Sequence, residues 1–221
     1  MKQLVLYSTI AGNFYAQTEQ LKQAVQRARS KVGDDVWKRG FSDRDVTGAT
    51  NAFLYECMQE GIQPVLLEGE LTFVGYVENR DEKGQTYPKL RVGISSLDEE
   101  LLLSVDMKTD VAQRLIVKLD RCSPGDYMRI SAWPTTVERG GRQFVNYAVS
   151  VKDGEGKEIA ANSEFSAKVK TVTEGVYGTL VAAGITDIKT IATAKATKRI
   201  QAFKDLLVVL QSRFSQQFEV A

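Results

Sequence analysis

Histidine is absent from the 221 residues, and Cys57 and Cys122 are the only cysteines. The commonest general base and the commonest metal ligand are therefore missing. Two distant thiols do not make a zinc site within one chain. The neighbouring acids Asp98, Glu99 and Glu100 fall in a turn, where carboxylates are solvated. No glycine-rich loop runs into Gly-Lys-Ser/Thr, so phosphate cradling by a P-loop is not expected. The residues predict no catalytic group, no metal, no cofactor and no enzyme activity. What they offer is non-covalent chemistry. Tyr87, Trp133 and Phe144 are flat rings on which bases could stack, and Lys89, Arg91, Arg129 and Arg142 are cations that could neutralise phosphates. Each ring could instead pack under a helix, and each cation could sit on a solvated strand.

These seven residues lie on strand-like segments. From Leu67 to Glu78, Leu67, Leu71, Phe73 and Val77 share one parity and are expected to face inward, while Glu68, Glu70, Thr72, Tyr76 and Glu78 take the other. Gly69 and Gly75 fall on the inward parity, as at the tight bends of a barrel. Tyr87 to Ile94 alternates again, with Leu90, Val92 and Ile94 inward and Tyr87, Lys89 and Arg91 outward. Leu101 to Val105 is a short apolar strand. Tyr127 to Trp133 sends Met128, Ile130 and Ala132 to one face and Tyr127, Arg129, Ser131 and Trp133 to the other. Arg139-Gly140-Gly141-Arg142 is a hairpin turn, and Phe144 to Val151 a fifth strand.

Between the third and fourth strands the period changes. Val111, Leu115 and Leu119 recur at helical spacing, with Thr109 as N-cap. Three strands, a helix and two strands between Pro64 and Ile159 resemble an OB-fold, a small barrel used by many single-stranded nucleic-acid binders. That resemblance implies an α+β chain: a five-stranded OB-like β-barrel over residues 63–160, flanked by an N-terminal strand and helical segment (1–62) and a C-terminal helical segment (161–221). It covers a little under half of the chain and is one of pattern. Bacterial single-stranded-DNA-binding proteins usually end in an acidic tail with a terminal Phe, whereas the last residues here hold one acid, Glu219, before Val220-Ala221.

The flanks carry their own patterns. Lys2 to Phe14, with its Ser/Thr-Gly-Asn loop, resembles the phosphate loop of a flavodoxin only in part. Ala11 and Phe14 stand where hydroxyl residues are needed, and no alternation of strands and helices follows. The expectation is an edge strand or an ordered arm leading into a helix. Thr18 to Lys31 is that helix. Ser42 and Asp45 suggest a capping box opening a second one, with Val46, Ala49, Phe53 and Cys57 on its apolar face. Cys57 is expected to be a small core residue rather than a nucleophile. Phe165 to Ala183 reads as helix. Ile200, Phe203, Leu207, Leu210 and Phe214 form a seam too short for a free coiled coil. It is expected either to dock on Leu21, Val25, Val46 and Phe53 or to join two subunits through residues 200–214.

Net charge is +1, and the barrel segment is slightly acidic, with 13 basic and 16 acidic residues between Gly61 and Ala160. A polyanion would therefore need charges segregated by face. Without a membrane-length apolar run or a signal peptide, a cytoplasmic setting is expected. The functional expectation is a non-enzymatic single-stranded nucleic-acid binder, DNA more than RNA, with DNA replication or recombination as its setting. The alternative is a structural or adaptor protein that uses the barrel and C-terminal helices for protein contacts.

Overall fold

Seven strands, β1 (Lys2–Ser8), β2 (Asn13–Ala16), β3 (Leu67–Arg80), β4 (Thr86–Ser95), β5 (Glu100–Asp106), β6 (Tyr127–Arg139) and β7 (Arg142–Asp153), form one mixed sheet in the order β2-β1-β5-β4-β3-β6-β7. The structure, a computed structural model, describes residues 2–42, 47–80, 84–96, 99–140 and 142–215. Six helices accompany the sheet among the described residues: α1 (Glu19–Val32), α2 (Asp34–Lys38), α3 (Ala49–Gln59), α4 (Asp110–Leu119), α5 (Ser163–Ala182) and α6 (Ile188–Ser215). Asp45 of the expected capping box and Val46 of the apolar face expected after it lie outside the described residues, and α3 starts after Gly48.

The sheet curls. β3 is antiparallel to both β4 and β6, and β7 is antiparallel to β6. The five strands expected from the sequence are thus present, with α4 between the third and the fourth. The strand count is not five, however. The N-terminal segment adds a hairpin, in which β1 pairs antiparallel with β2 and parallel with β5, Lys2 opposite Glu100 through Leu6 opposite Ser104. β1 is therefore an internal strand, neither an edge nor an arm. Its loop leads to β2, which excludes the strand–loop–helix arrangement of a flavodoxin phosphate site. The hairpin tip reaches the far side of the sheet. The Tyr147 hydroxyl donates to the Thr9 carbonyl at 3.1 Å, and the Tyr7 and Tyr147 rings meet edge to face at 5.8 Å. Gly12, at φ +68°, lies against Pro134 so closely that a Cβ there would sit 2.2 Å from the proline Cδ.

One register change corrects the sequence reading of β3. Leu71 faces Ile94 but Phe73 faces Gly93, so two residues of β3 oppose one of β4. This bulge inverts the parity beyond it. Val74 is fully buried and Tyr76 packs on the core, whereas Val77 is exposed and Gly75 lies opposite the outward Arg91. Strict alternation had assigned Phe73 and Val77 inward, because a bulge leaves no mark in hydrophobic periodicity. Gly69 is a true corner. Its φ is +151°, and a Cβ would come 2.2 Å from the Ser95 carbonyl oxygen, an atom held by backbone. Gly69→Ala is expected to cost about 3 kcal/mol, checked by the midpoint of urea unfolding. A midpoint equal to the wild type's would show that the corner can relax.

Two cores result. The larger lies inside the curl, where Leu67, Leu71, Leu90, Val92, Ile94 and Leu103 meet Leu115 and Ile116 of α4. Thr109 caps α4 by accepting from the Ala112 N–H, as expected from the sequence. The smaller core, on the outer side of β2, joins Tyr15 to Leu21 and Ala28 of α1 and to Phe53 and Cys57 of α3. Burial pushes the Cys57 thiol up to about 11, so it stays protonated as an inert core residue. Arg27 and Lys31 do not stand alone at the end of α1. Both grip the buried Glu56 of α3, and together they hold its carboxyl below the usual carboxylate range.

The seam on α6 docks elsewhere than expected. Phe203, Leu207, Leu210 and Phe214 join the larger core, not the α1–α3 core. The reason lies in β3, which pairs with β6 only from Leu67 to Glu70. Beyond that point β3 peels away, and α6 covers the opening. Lys204 bonds Glu78 and lies over the Tyr76 ring, and Arg213 donates to the Asp120 and Cys122 carbonyls below α4. No described helix is long and apolar enough to cross a membrane.

Candidate nucleic-acid interface

Outward parity on β4 brings Tyr87, Lys89 and Arg91 into one row, opposite Asn79, Val77 and Gly75 of β3 and beside Asp106 and Ser104 of β5. The row stands on a rigid base, because the inward residues of β4, Leu90, Val92 and Ile94, are fully buried. The cross-strand neighbours of Arg91, Gly75 and Ser104, are small. A Cβ at Gly75 would lie 2.6 Å from the Phe73 Cζ and 2.9 Å from the Gln211 Oε1 of α6, and one at Gly93 would lie 2.6 Å from the Thr72 Oγ1. Leu102 and the buried Ser104 continue the surface across β5.

Arg91 is the unusual member of this row. Two buried polar side-chain atoms have no hydrogen-bond partner among the described residues, the Tyr7 hydroxyl and the Arg91 Nε. Tyr7 sits inside the curl against Phe14 and Tyr147. Arg91 instead faces the outer surface. Burial pushes its guanidinium pKa down from the ordinary value, with no neighbouring carboxylate to offset it. A guanidinium carries five N–H donors, so a desolvated one without an acid beside it is poised for an anion from outside the chain. Lys89 makes no ion pair among the described residues, although Asp106 stands directly across from it on β5. Lys108 lies over the Tyr87 ring at 5.2 Å, and the Tyr87 hydroxyl donates to Gln85 at 2.8 Å. A ring and three cations therefore share this end of the sheet.

The remaining expected residues lie on the β6–β7 ribbon. Trp133 and Phe144 are exposed, and both are outward by register, opposite Ala148 and Val137. They sit past the start of β3, where β6 pairs with β7 alone, while the β4 row lies beside the far half of β3. Arg129 differs from Arg91. Its Nε donates to Glu68 at 2.7 Å, and the Tyr127 hydroxyl bonds the same carboxylate. This cation is engaged within the sheet. The Arg142 side chain lies outside the described residues. Sequence parity found Arg91 as an outward cation, but nothing in the sequence marks its desolvation, which depends on the bulge, on Phe73 and on β5. Phe73 itself was assigned to the core and belongs to the outer surface.

Among the described residues no three His, Cys, Asp or Glu side chains cluster as a metal site would require. No protein-family model matches this chain, and neither does any curated protein or solved structure.

Proposed function

We propose that the protein is a non-enzymatic binder of single-stranded nucleic acid, DNA more than RNA, which holds the strand on the outer surface of β4, β5 and β3. The observation that carries this reading is Arg91, a half-buried guanidinium in the outward row of β4 with an unpartnered Nε and no acid to neutralise it. A phosphate oxygen would accept from the remaining N–H groups of the guanidinium, the Nε itself being closed off by the fold. Tyr87 and Phe73 offer rings beside it, and Lys89 and Lys108 add charge, the combination that sequence-tolerant strand binding requires.

The strand order supports an OB-like barrel as the scaffold. β3, β4, β5, β6 and β7 pair as the five strands of such a barrel do, except at the closure. There the β1–β2 hairpin stands between β5 and β7, and β1 lies parallel to β5. The barrel is then an OB-fold opened by one hairpin, with the strand on its β4–β5 face. A role in DNA replication or recombination in the cytoplasm is the setting in which such a binder works. The adaptor reading draws on another surface, the cleft between α4 and the α5–α6 hairpin.

The test is a titration of labelled oligo-dT, oligo-rU and duplex DNA at two salt concentrations. Binding to the single strands with a negative salt slope is expected, and failure to bind any single strand would overturn the proposal. Trp133→Ala extends the test to the ribbon. If the strand crosses Trp133, affinity falls by roughly 1–3 kcal/mol and the salt slope stays intact, because stacking and not charge is lost. An unchanged affinity confines the site to β3–β5. Lys118→Ala is the control, because this lysine is paired with Glu158 on the helix side and strand binding should not respond.

A further inference from the structure

We infer that the cleft between α4 and the α5–α6 hairpin docks an acidic peptide segment of a partner protein. The cleft holds about 480 Å³. Its floor is aliphatic and aromatic: Val117, Val169 and Phe203, each less than a tenth exposed, form the bottom and belong to the larger core. Four cations, Arg114, Lys170, Lys195 and Arg199, stand around that floor. Arg114 and Arg199 make no ion pair among the described residues. Lys195 lies over the Tyr177 ring at 5.7 Å, and Lys170 reaches Glu174 only at 4.0 Å.

The walls are fixed before any ligand arrives. The Asn162 N–H donates to the Val117 carbonyl at 2.8 Å, and the Asn162 side chain bonds Asp120 at 2.5 Å, which ties the start of α5 to α4. The Phe165 and Phe203 rings meet edge to face at 5.5 Å and join α5 to α6. A preformed site spares a ligand the cost of ordering it.

Charge and shape together select the occupant. A cationic rim calls for an anion. An apolar, concave floor calls for side chains that bury carbon, which a peptide alternating acidic and apolar residues supplies. A nucleic-acid strand fits less well, because the buried floor presents no open ring face for a base. Asp110 and Glu174 in the walls can accept peptide N–H groups, donors that a sugar–phosphate backbone lacks. The proposal is independent of strand binding on β4.

The probe is a fluorescein-labelled peptide alternating Asp or Glu with Leu or Phe, followed by anisotropy at low salt with the full chain. Wild-type protein is expected to bind it, and to bind a matched Asn/Gln version at least about tenfold more weakly. Arg114→Glu and Arg199→Glu should each weaken binding by about tenfold and together abolish it. Both side chains are exposed, so folding is not at stake, and circular dichroism verifies that. Lys38→Glu makes the same change of net charge on α2 and should leave binding intact. Oligo-dT affinity should be unaffected by the cleft variants. The proposal is overturned if wild type ignores the acidic peptide, if the Asn/Gln peptide binds equally, or if Lys38→Glu loses as much as the cleft variants. It also falls if the cleft variants weaken oligo-dT as much as peptide, which would make the cleft part of a nucleic-acid track.

Discussion

Leu207→Asp is expected to destabilise the protein by at least about 4 kcal/mol, a large fraction of the roughly 5–15 kcal/mol that holds an ordinary domain folded. Leu207 is fully buried at the centre of the α6 seam, in the core shared with the sheet. The substitution removes the leucine's burial and places a carboxyl where no described cation pairs with the site. Protonation would spare the charge but still leave a polar group without a partner. Leu207→Met keeps volume and apolarity and should cost under about 1.5 kcal/mol. Urea unfolding distinguishes these outcomes. Sedimentation adds a second readout, because a seam buried on its own sheet should lose folding without a change of assembly state that precedes unfolding. A wild-type melting curve for Leu207→Asp would mean that α6 does not close the sheet.

Arg91→Met is expected to separate stability from binding. On the free protein the guanidinium bears a desolvation cost that no described acid offsets. Replacing it with an apolar side chain of similar length should leave stability unchanged or raise it by up to about 1 kcal/mol, a modest figure because the side chain is only partly buried. Affinity for oligo-dT should fall on the order of ten- to a hundredfold, the worth of a charge-assisted hydrogen bond. The salt slope should flatten by about one counterion. Arg91→Lys should restore the slope but not the whole affinity, because an ammonium lacks the planar fork of donors. Were Arg91→Met less stable and still fully able to bind, the arginine would be serving the fold. Lys89→Ala should flatten the slope by a similar amount with a smaller loss, since an ammonium contributes charge without the planar fork of donors.

Trp133 and Arg129 divide in a way that alternation could not foresee. Parity put both outward on β6, and both are outward. Only the register of β6 on β3 sets Glu68 across from Arg129, and only there does the cation find its acid. Trp133 lies beyond that pairing and stays exposed.

The sequence by itself determined the local elements. Period-two runs gave β4 and β6, a short apolar run gave β5, the run after the Arg139–Arg142 turn gave β7, and the three–four spacing gave α4 and the α6 seam. Those patterns are legible because each element buries one face, and burial writes itself into neighbouring residues of the same chain. Tertiary structure alone decided three things. It set β1 and β2 into the sheet beside β5, a pairing of residues almost a hundred positions apart that local pattern does not encode. It reversed the parity of β3 through one extra residue beside Thr72, which moved Phe73 and Gly75 to the outer surface. It also sent the α6 seam to the gap where β3 leaves β6. An apolar stripe states that it must be covered, but what covers it is fixed only by which other apolar surface is left open, and here α1 and α3 had already buried theirs on Tyr15.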